Sequence, residues 1–281
     1  MTKFLQKTLT AALMTSALTS AAFADNILVV MSDADHLDLK GENVYATGFY
    51  LNELMQPVKM FTDAGHSITF ATPNGSAPSL DAVSENVMFF GTEEALAEHK
   101  NLMVEMQITD PANSPVISLN RVEQIGYDEF DAIYVPGGHA PMTDLLTDER
   151  MGALLNHFHD ESKVTALVCH GPIALLSTMT TSEAFVDAME NDGVAVADAE
   201  WTYAGYNMTV FSNKEELASQ SWLGGGEMKF YPQDALSMAG GLYSEATELW
   251  NPNVVVDREL ITGQNPASAI EVATIILEQL K

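Results

Sequence analysis

The sequence predicts an α/β fold organised on a mostly parallel sheet, and three stretches carry the prediction. Asn26-Ile27-Leu28-Val29-Val30-Met31 is an unbroken apolar run, the pattern of a strand covered on both faces. A helical pattern and a second strand-like run, Ser67 to Thr72, follow it, in the order of a right-handed βαβ crossover. Further on, Val164-Thr165-Ala166-Leu167-Val168 runs into Cys169-His170-Gly171-Pro172, which reads as strand, sharp turn and helix start. A chain of 281 residues suits one large domain of this class and can bury a sizeable core without crosslinks.

The elements follow in order. The chain opens Met-Thr-Lys-Phe-Leu-Gln-Lys, stays apolar and small from Leu9 to Ala22, and reaches Ala22-Phe23-Ala24 before Asp25. A basic start, a short apolar middle and a small-x-small site predict a secretory signal peptide over 1–24, cleaved after Ala24, and hence a periplasmic or secreted protein. The apolar run is too short and interrupted for a membrane span. Residues 25–281 then form a single domain, with insertions near 74–126 and 220–252.

After the first strand, Leu51, Leu54, Val58 and Phe61 recur at helical spacing and Ala64-Gly65 closes the helix. Within 74–126, Glu93 to Met106 carries an irregular helical pattern, and His99 is expected to be a solvated helix residue. Ala132 to Val135 is a buried strand leading into Pro136-Gly137-Gly138-His139, a turn whose missing side chains let backbone N–H groups approach a ligand. Residues 147–160 form a helix on which His157 and His159 point to different sides, as surface histidines without a metal role. A short acidic helix follows from Thr180 to Met189, then a strand from Met208 to Phe211, and then Ser212-Asn213-Lys214-Glu215-Glu216, where Ser or Asn caps a helix. The stretch 220–252 sets Trp222, Met228, Phe230, Tyr231, Met238, Tyr243 and Trp250 among glycines; a cover over a site and packing on the sheet edge both fit it. Val254 to Val256 and Glu259 to Gly263 read as a hairpin-like pair, and the last helix has Ile270, Ala273, Ile276, Leu277 and Leu280 as its apolar face.

The formal net charge is −27, and removing residues 1–24, which hold Lys3 and Lys7 and no acid, makes it −29. Such a surface repels nucleic acid and anionic membranes, so neither is an expected partner. No Rossmann or Walker phosphate loop and no zinc spacing occurs, so no cofactor and no metal ligands are assigned.

Cys169 is the single cysteine, so no internal disulfide can form. A lone cysteine is most often a small core hydrophobe. At a strand-to-helix turn, however, the side chain projects from the end of the sheet toward a helix N-terminus, whose partial positive charge lowers the thiol pKa.

Ala166-Leu167-Val168-Cys169-His170-Gly171-Pro172 resembles the nucleophile elbow of the DJ-1/PfpI superfamily. Thr47-Gly48-Phe49-Tyr50-Leu51-Asn52-Glu53-Leu54, the turn at Pro136-Gly137-Gly138, and Leu260-Ile261-Thr262-Gly263-Gln264-Asn265-Pro266-Ala267-Ser268-Ala269 resemble its Hsp31-like branch, in the expected order over nearly all of 26–281. The resemblance implies a flavodoxin-like, doubly wound, mostly parallel sheet with helices on both faces, as in class I glutamine amidotransferases. It implies that Cys169 is the nucleophile, that Glu53 points at it, and that the N–H groups of Gly138 and His170 bind an oxyanion. It also implies that His170 is the acid–base and that an acid orients it. Glu216 matches that acid best by spacing and Glu215 is the fallback; on the residues alone, both also read as first-turn glutamates that favour a helix dipole. Gln56 stands where the family often has histidine, and the family's habit of dimerising makes a homodimer a possible assembly.

Three functions fit these residues. The first, implied by the resemblance, is conversion of methylglyoxal or glyoxal to the 2-hydroxy acid without glutathione, a small dicarbonyl substrate being attacked by Cys169. The second is an amidase or peptidase in which Cys169, His170 and Glu216 form an acyl-enzyme from an amide substrate. The third is a stress chaperone or redox sensor without turnover, using the aromatic-rich 220–252 stretch or oxidation of Cys169.

Overall fold

The first apolar run is strand β1 (Asn26–Val30), buried from Ile27 onward, in a computed structural model that describes residues 24–281. The signal peptide expected over 1–24 therefore falls, apart from Ala24, outside the described residues. A hairpin of β2 (His36–Asp38) and β3 (Val44–Ala46) follows, too short for alternation to mark it in the sequence. Helix α1 (Leu51–Asp63) buries Leu51, Leu54, Val58 and Phe61 as expected. Pro57, inside it, has no N–H to give the Glu53 carbonyl four residues back; the buried Tyr134 hydroxyl donates to that carbonyl instead.

Strand β4 (Ser67–Thr72) pairs in parallel with β1. Helix α2 (Glu93–Glu105) is capped by Thr92. His99 on this helix is buried rather than solvated: its Nδ1 lies 2.7 Å from the Ala95 carbonyl oxygen and its ring packs against Phe90, because the loop before the helix folds back over it. Strand β5 (Ile117–Ser118) joins the open edge of β4, and α3 (Leu119–Ile125) follows under a Ser118 cap, so the end of the 74–126 stretch belongs to the central sheet.

Strand β6 (Ala132–Val135), helix α4 (Glu149–Asp160), strand β7 (Val164–Val168) and helix α5 (Ser182–Asp192) continue the frame. The strand expected over Met208–Phe211 is reduced to β8 (Asn207–Met208), since Thr209 and Phe211 spend their N–H groups on the Thr262 hydroxyl and the Cys169 carbonyl. Helix α6 (Asn213–Ser219) starts in a Ser212–Glu215 capping box. Helix α7 (Pro232–Ala239) leads to β9 (Leu242–Tyr243), which pairs with β8 in a separate ribbon. Strands β10 (Val254–Asp257) and β11 (Leu260–Gly263) are the expected antiparallel pair, and α8 (Ala269–Gln279) ends the chain.

The central sheet runs β10-β11-β7-β6-β1-β4-β5, parallel except for β10. Its strands β4-β1-β6-β7-β11 follow the flavodoxin-like 2-1-3-4-5 order. Alternate strand residues feed two cores. Ile27, Val29, Tyr134 and Val168 pack with α1, α2 and α8; Leu28, Val30, Val135 and Leu167 pack with α3, α4, α5 and α7. Helices thus cover both faces, and the C-terminal ends of β6 and β7 open near the point where strand order reverses, the usual binding crevice of such sheets.

Candidate active site

Cys169 directly follows β7, with φ of 61°, the left-handed region that non-glycine residues seldom occupy. The turn is held from both sides: its N–H donates to the Gly263 carbonyl (2.9 Å) and its carbonyl accepts from the Phe211 N–H (3.0 Å). A backbone strained at a functional turn persists only where its surroundings over-determine it. Gly171–Thr178 continues as a buried 3-10 helix rather than an α-helix.

Glu53 projects from α1 and is wholly buried; its Oε2 accepts the Gly137 N–H at 2.8 Å, while Oε1 has no conventional partner. The carboxyl's other neighbour is the Cys169 thiol. Gly137 and Gly138 are required here. A Cβ on Gly137 would lie 2.5 Å from the Cys169 Cβ, and one on Gly138, whose φ is 87°, would lie 2.1 Å from the Gly48 carbonyl oxygen. Gly48 is itself pressed against Ser79, whose carbonyl oxygen would lie 1.8 Å from a Cβ there. This stack brings the N–H of Gly138, with that of His170, to the sulfur.

The His170 Nδ1 lies 3.3 Å from the Cys169 sulfur, and its Nε2 lies 2.9 Å from Glu216 Oε1. Phe211 stacks on the ring at 4.8 Å. Of the two adjacent glutamates on α6, Glu216 meets His170. Glu215 instead accepts from Ser212, the Trp250 N–H, Gln264 and Asn265, and so ties down the loops around the site.

Burial dominates the electrostatics. It raises the Glu53 carboxyl from 4.5 to about 8, opposed by hydrogen bonds from Cys169 and the Gly137 N–H, so Glu53 is protonated at neutral pH and available as a donor. Burial, followed by the charge Glu53 carries when ionised, pushes the Cys169 thiol up, against the pull of the Gly138 and His170 N–H groups. The sequence reading of a lowered thiol pKa is corrected for the resting site: the sulfur is enclosed, and the 3-10 segment lacks a full α-helical dipole. Burial lowers His170 to about 3, opposed by Glu215, and keeps it neutral. Glu216 is raised to about 7, again by burial first. Its carboxylate fixes the His170 tautomer, with the hydrogen on Nε2 and the lone pair of Nδ1 facing the thiol. The arrangement can ionise the sulfur by proton transfer to His170 when a substrate arrives.

His139, which the sequence showed only as the end of a glycine turn, also enters the site. Its ring centroid is 4.3 Å from that of His170, and neither of its buried nitrogens has a partner among the described residues. His139, His170 and Glu216 place ligand atoms within 4.8 Å of one another, so they could hold a metal ion, at the expense of the His170–Glu216 hydrogen bond. No metal set was assigned from sequence because the three residues come from separate segments. Other histidines stay apart from the site: His157 meets Asp128, and His159 is half-buried against Glu259 and Tyr206.

A cavity of about 150 Å³ opens over Cys169, His170 and His139. Its walls are mainly apolar, from Tyr50, Phe89, Phe211, Trp222 and Trp250, and Trp222 stacks on Trp250 at 5.7 Å. The 220–252 stretch covers the site in part: its two tryptophans wall the cavity, while Met228 and Phe230 pack into one of the two cores.

A family model described as ThiJ/PfpI family-like matches residues 45–244. A probable glutathione-independent glyoxalase, hsp3103, of Schizosaccharomyces pombe is 26% identical, covering 91% of this chain and 98% of that protein. The protein/nucleic acid deglycase HchA of Staphylococcus aureus is 21% identical over 90% of this chain and 79% of its own length. Among solved structures, the Rapid Encystment Protein 24 KDa of Francisella tularensis superposes with a TM-score of 0.69 at 24% identity, covering 92% of this chain and 99% of that one. Glyoxalase III of Candida albicans superposes with a TM-score of 0.67 at 16% identity, covering 92% and 98%. At these identities the two structural matches speak for the fold.

Proposed function

This chain belongs to the ThiJ/PfpI-like family, and from that premise we propose that it is a cysteine-dependent glyoxalase that needs no glutathione and turns small 2-oxoaldehydes into 2-hydroxy acids. The observation that carries the reading is the line from Glu216 through neutral His170 to Cys169, with the protonated Glu53 and two backbone N–H groups at the sulfur.

The thiol adds to the aldehyde carbon as its proton passes through His170 Nδ1 to the former aldehyde oxygen, which the Gly138 and His170 N–H groups hold while it is negative. The resulting hemithioacetal loses its carbon-bound hydrogen to His170 as a proton and becomes an enediolate. As the hydroxyl proton passes from the first oxygen to the second, His170 returns the carbon-bound one to the neighbouring carbon, leaving a thioester of the 2-hydroxy acid, and water releases the acid and the thiol.

The same triad can form an acyl-enzyme from an amide. The cavity favours the dicarbonyl: about 150 Å³ walled mainly by apolar side chains suits a molecule of a few heavy atoms. A holdase role for 220–252 is weakened because Met228 and Phe230 are buried. We further propose that residues 1–24 direct export; N-terminal sequencing of secreted material should begin at Asp25, and retention of the full chain in the cell would reject this.

The test is incubation of the protein with methylglyoxal, without glutathione, beside its Cys169→Ala variant. Lactate from the wild type alone is expected. No lactate from folded, reduced wild type would reject the reaction.

A further inference from the structure

We propose that His139 is a second catalytic residue, which moves the hydroxyl proton of the substrate from one oxygen to the other while His170 moves the carbon-bound one. The inference rests on the glyoxalase reading above.

The rearrangement from hemithioacetal to thioester has two halves. A hydrogen passes from the aldehyde-derived carbon to its neighbour, and a proton passes from the oxygen on the first carbon to the oxygen on the second. His170 can serve only the first half. Its Nε2 is committed to Glu216 at 2.9 Å and its Nδ1 faces the sulfur at 3.3 Å, so it has no nitrogen left for the second oxygen.

His139 supplies what is missing. It lines the same cavity as Cys169 and His170, and its ring centroid is 4.3 Å from that of His170. Its residue is only 4% exposed, yet neither ring nitrogen has a hydrogen-bond partner among the described residues. A buried polar group without partners destabilises a fold, and natural structures keep few of them. An unpartnered histidine ring lining the cavity beside a nucleophile leaves a nitrogen free to exchange a proton with a bound substrate.

The proton balance is closed. In the enediolate, one His139 nitrogen takes the proton from the hydroxyl of the first carbon and hands that same proton to the negative oxygen of the second. The carbon–oxygen double bond re-forms at the first carbon, the second carbon receives its hydrogen from His170, and His139 ends neutral in the tautomer it began in.

His139→Gln and His139→Asn test the assignment in the otherwise unchanged protein. Two quantities are followed with methylglyoxal: the covalent adduct on Cys169, by intact mass after rapid quenching, and lactate in the steady state. The expected result is adduct formation and KM within a few-fold of wild type, with kcat lower by about 10²–10⁴-fold. Partial recovery of kcat in His139→Gly by added imidazole should accompany it, which a packing role would not produce. Turnover within about threefold of wild type in both variants would overturn the proposal. So would parallel loss of adduct and turnover, or failure of both variants to fold, either of which makes the ring structural. Absence of lactate from wild type would overturn the glyoxalase reading and this inference together, so the two failures are distinguishable.

Discussion

The two ends of strands β7 and β11 carry clusters of similar residues in opposite states of satisfaction. At their N-terminal end, His159 Nδ1 lies 2.9 Å from both Glu259 Oε1 and the Tyr206 hydroxyl, that hydroxyl also reaches Glu259 at 3.1 Å, and the Arg258 guanidinium covers the Tyr206 ring at 3.4 Å. At their C-terminal end, beside the neighbouring β6, His139 has no hydrogen-bond partner among the described residues, Glu53 Oε1 has no nitrogen or oxygen partner among them, and the Cys169 thiol is enclosed next to that carboxyl. The first cluster closes the sheet. The second leaves donors and acceptors open where a substrate can bond them. A histidine and a glutamate in contact are therefore not a site by composition; what marks the site is the bonding left unmade in a buried place.

The sharpest way to break this comparison is to remove the nucleophile. Cys169→Ala should take turnover below detection while the melting temperature stays within a few degrees of wild type, as calorimetry would register. Glu216→Gln comes next: it removes the charge that fixes the His170 tautomer and should lower kcat by about 10²–10⁴-fold with little change in stability. Its neighbour should behave the opposite way. Glu215→Ala strips the acceptor from Ser212, Gln264, Asn265 and the Trp250 N–H, and should lower the unfolding free energy in denaturant titration by about 3 kcal/mol or more.

A pH series sharpens the contrast further. The folded-state pKa of Glu53 is raised from 4.5 to about 8, so the folded chain holds a proton that the unfolded chain releases. Its contribution to stability is full below pH 4.5 and disappears as pH rises toward 8, with a slope of at most about 1.4 kcal/mol per pH unit. Melting temperature should therefore fall over that interval, and Glu53→Gln should flatten the fall while leaving the share of Glu216, raised to about 7. The smallest effect belongs to the satisfied end: His159→Ala should cost about 1 kcal/mol and leave kcat unchanged.

The frame was legible because each central strand is an apolar run short enough to be read directly, and α1 keeps its spacing from Leu51 to Phe61. Cys169, Glu53 and Glu216 could be named because they sit in short, ordered motifs. The placement of His139 could not. Thirty-odd residues of chain separate it from His170, and their rings meet only because β6 and β7 are neighbours whose ends turn toward each other. The state of the thiol was misread for a similar reason: a local turn suggests a helix dipole, whereas enclosure by distant segments decides the charge. His99 was misplaced because nothing within α2 announces that Phe90 will cover it.

The stack of Ser79, Gly48 and Gly138 has a consequence for how such a protein can diverge. The floor beneath the sulfur is main chain laid on main chain, with gaps that a single methyl group would overfill. Substitution there has no small steps, because any side chain added at Gly48 or Gly138 must displace a backbone carbonyl. The walls are different: Tyr50, Phe89, Trp222 and Trp250 are side chains that can be trimmed or exchanged one at a time. Inheritance can therefore tune which molecule enters by graded change, while the floor that holds the negative oxygen passes on unaltered or is lost in one step.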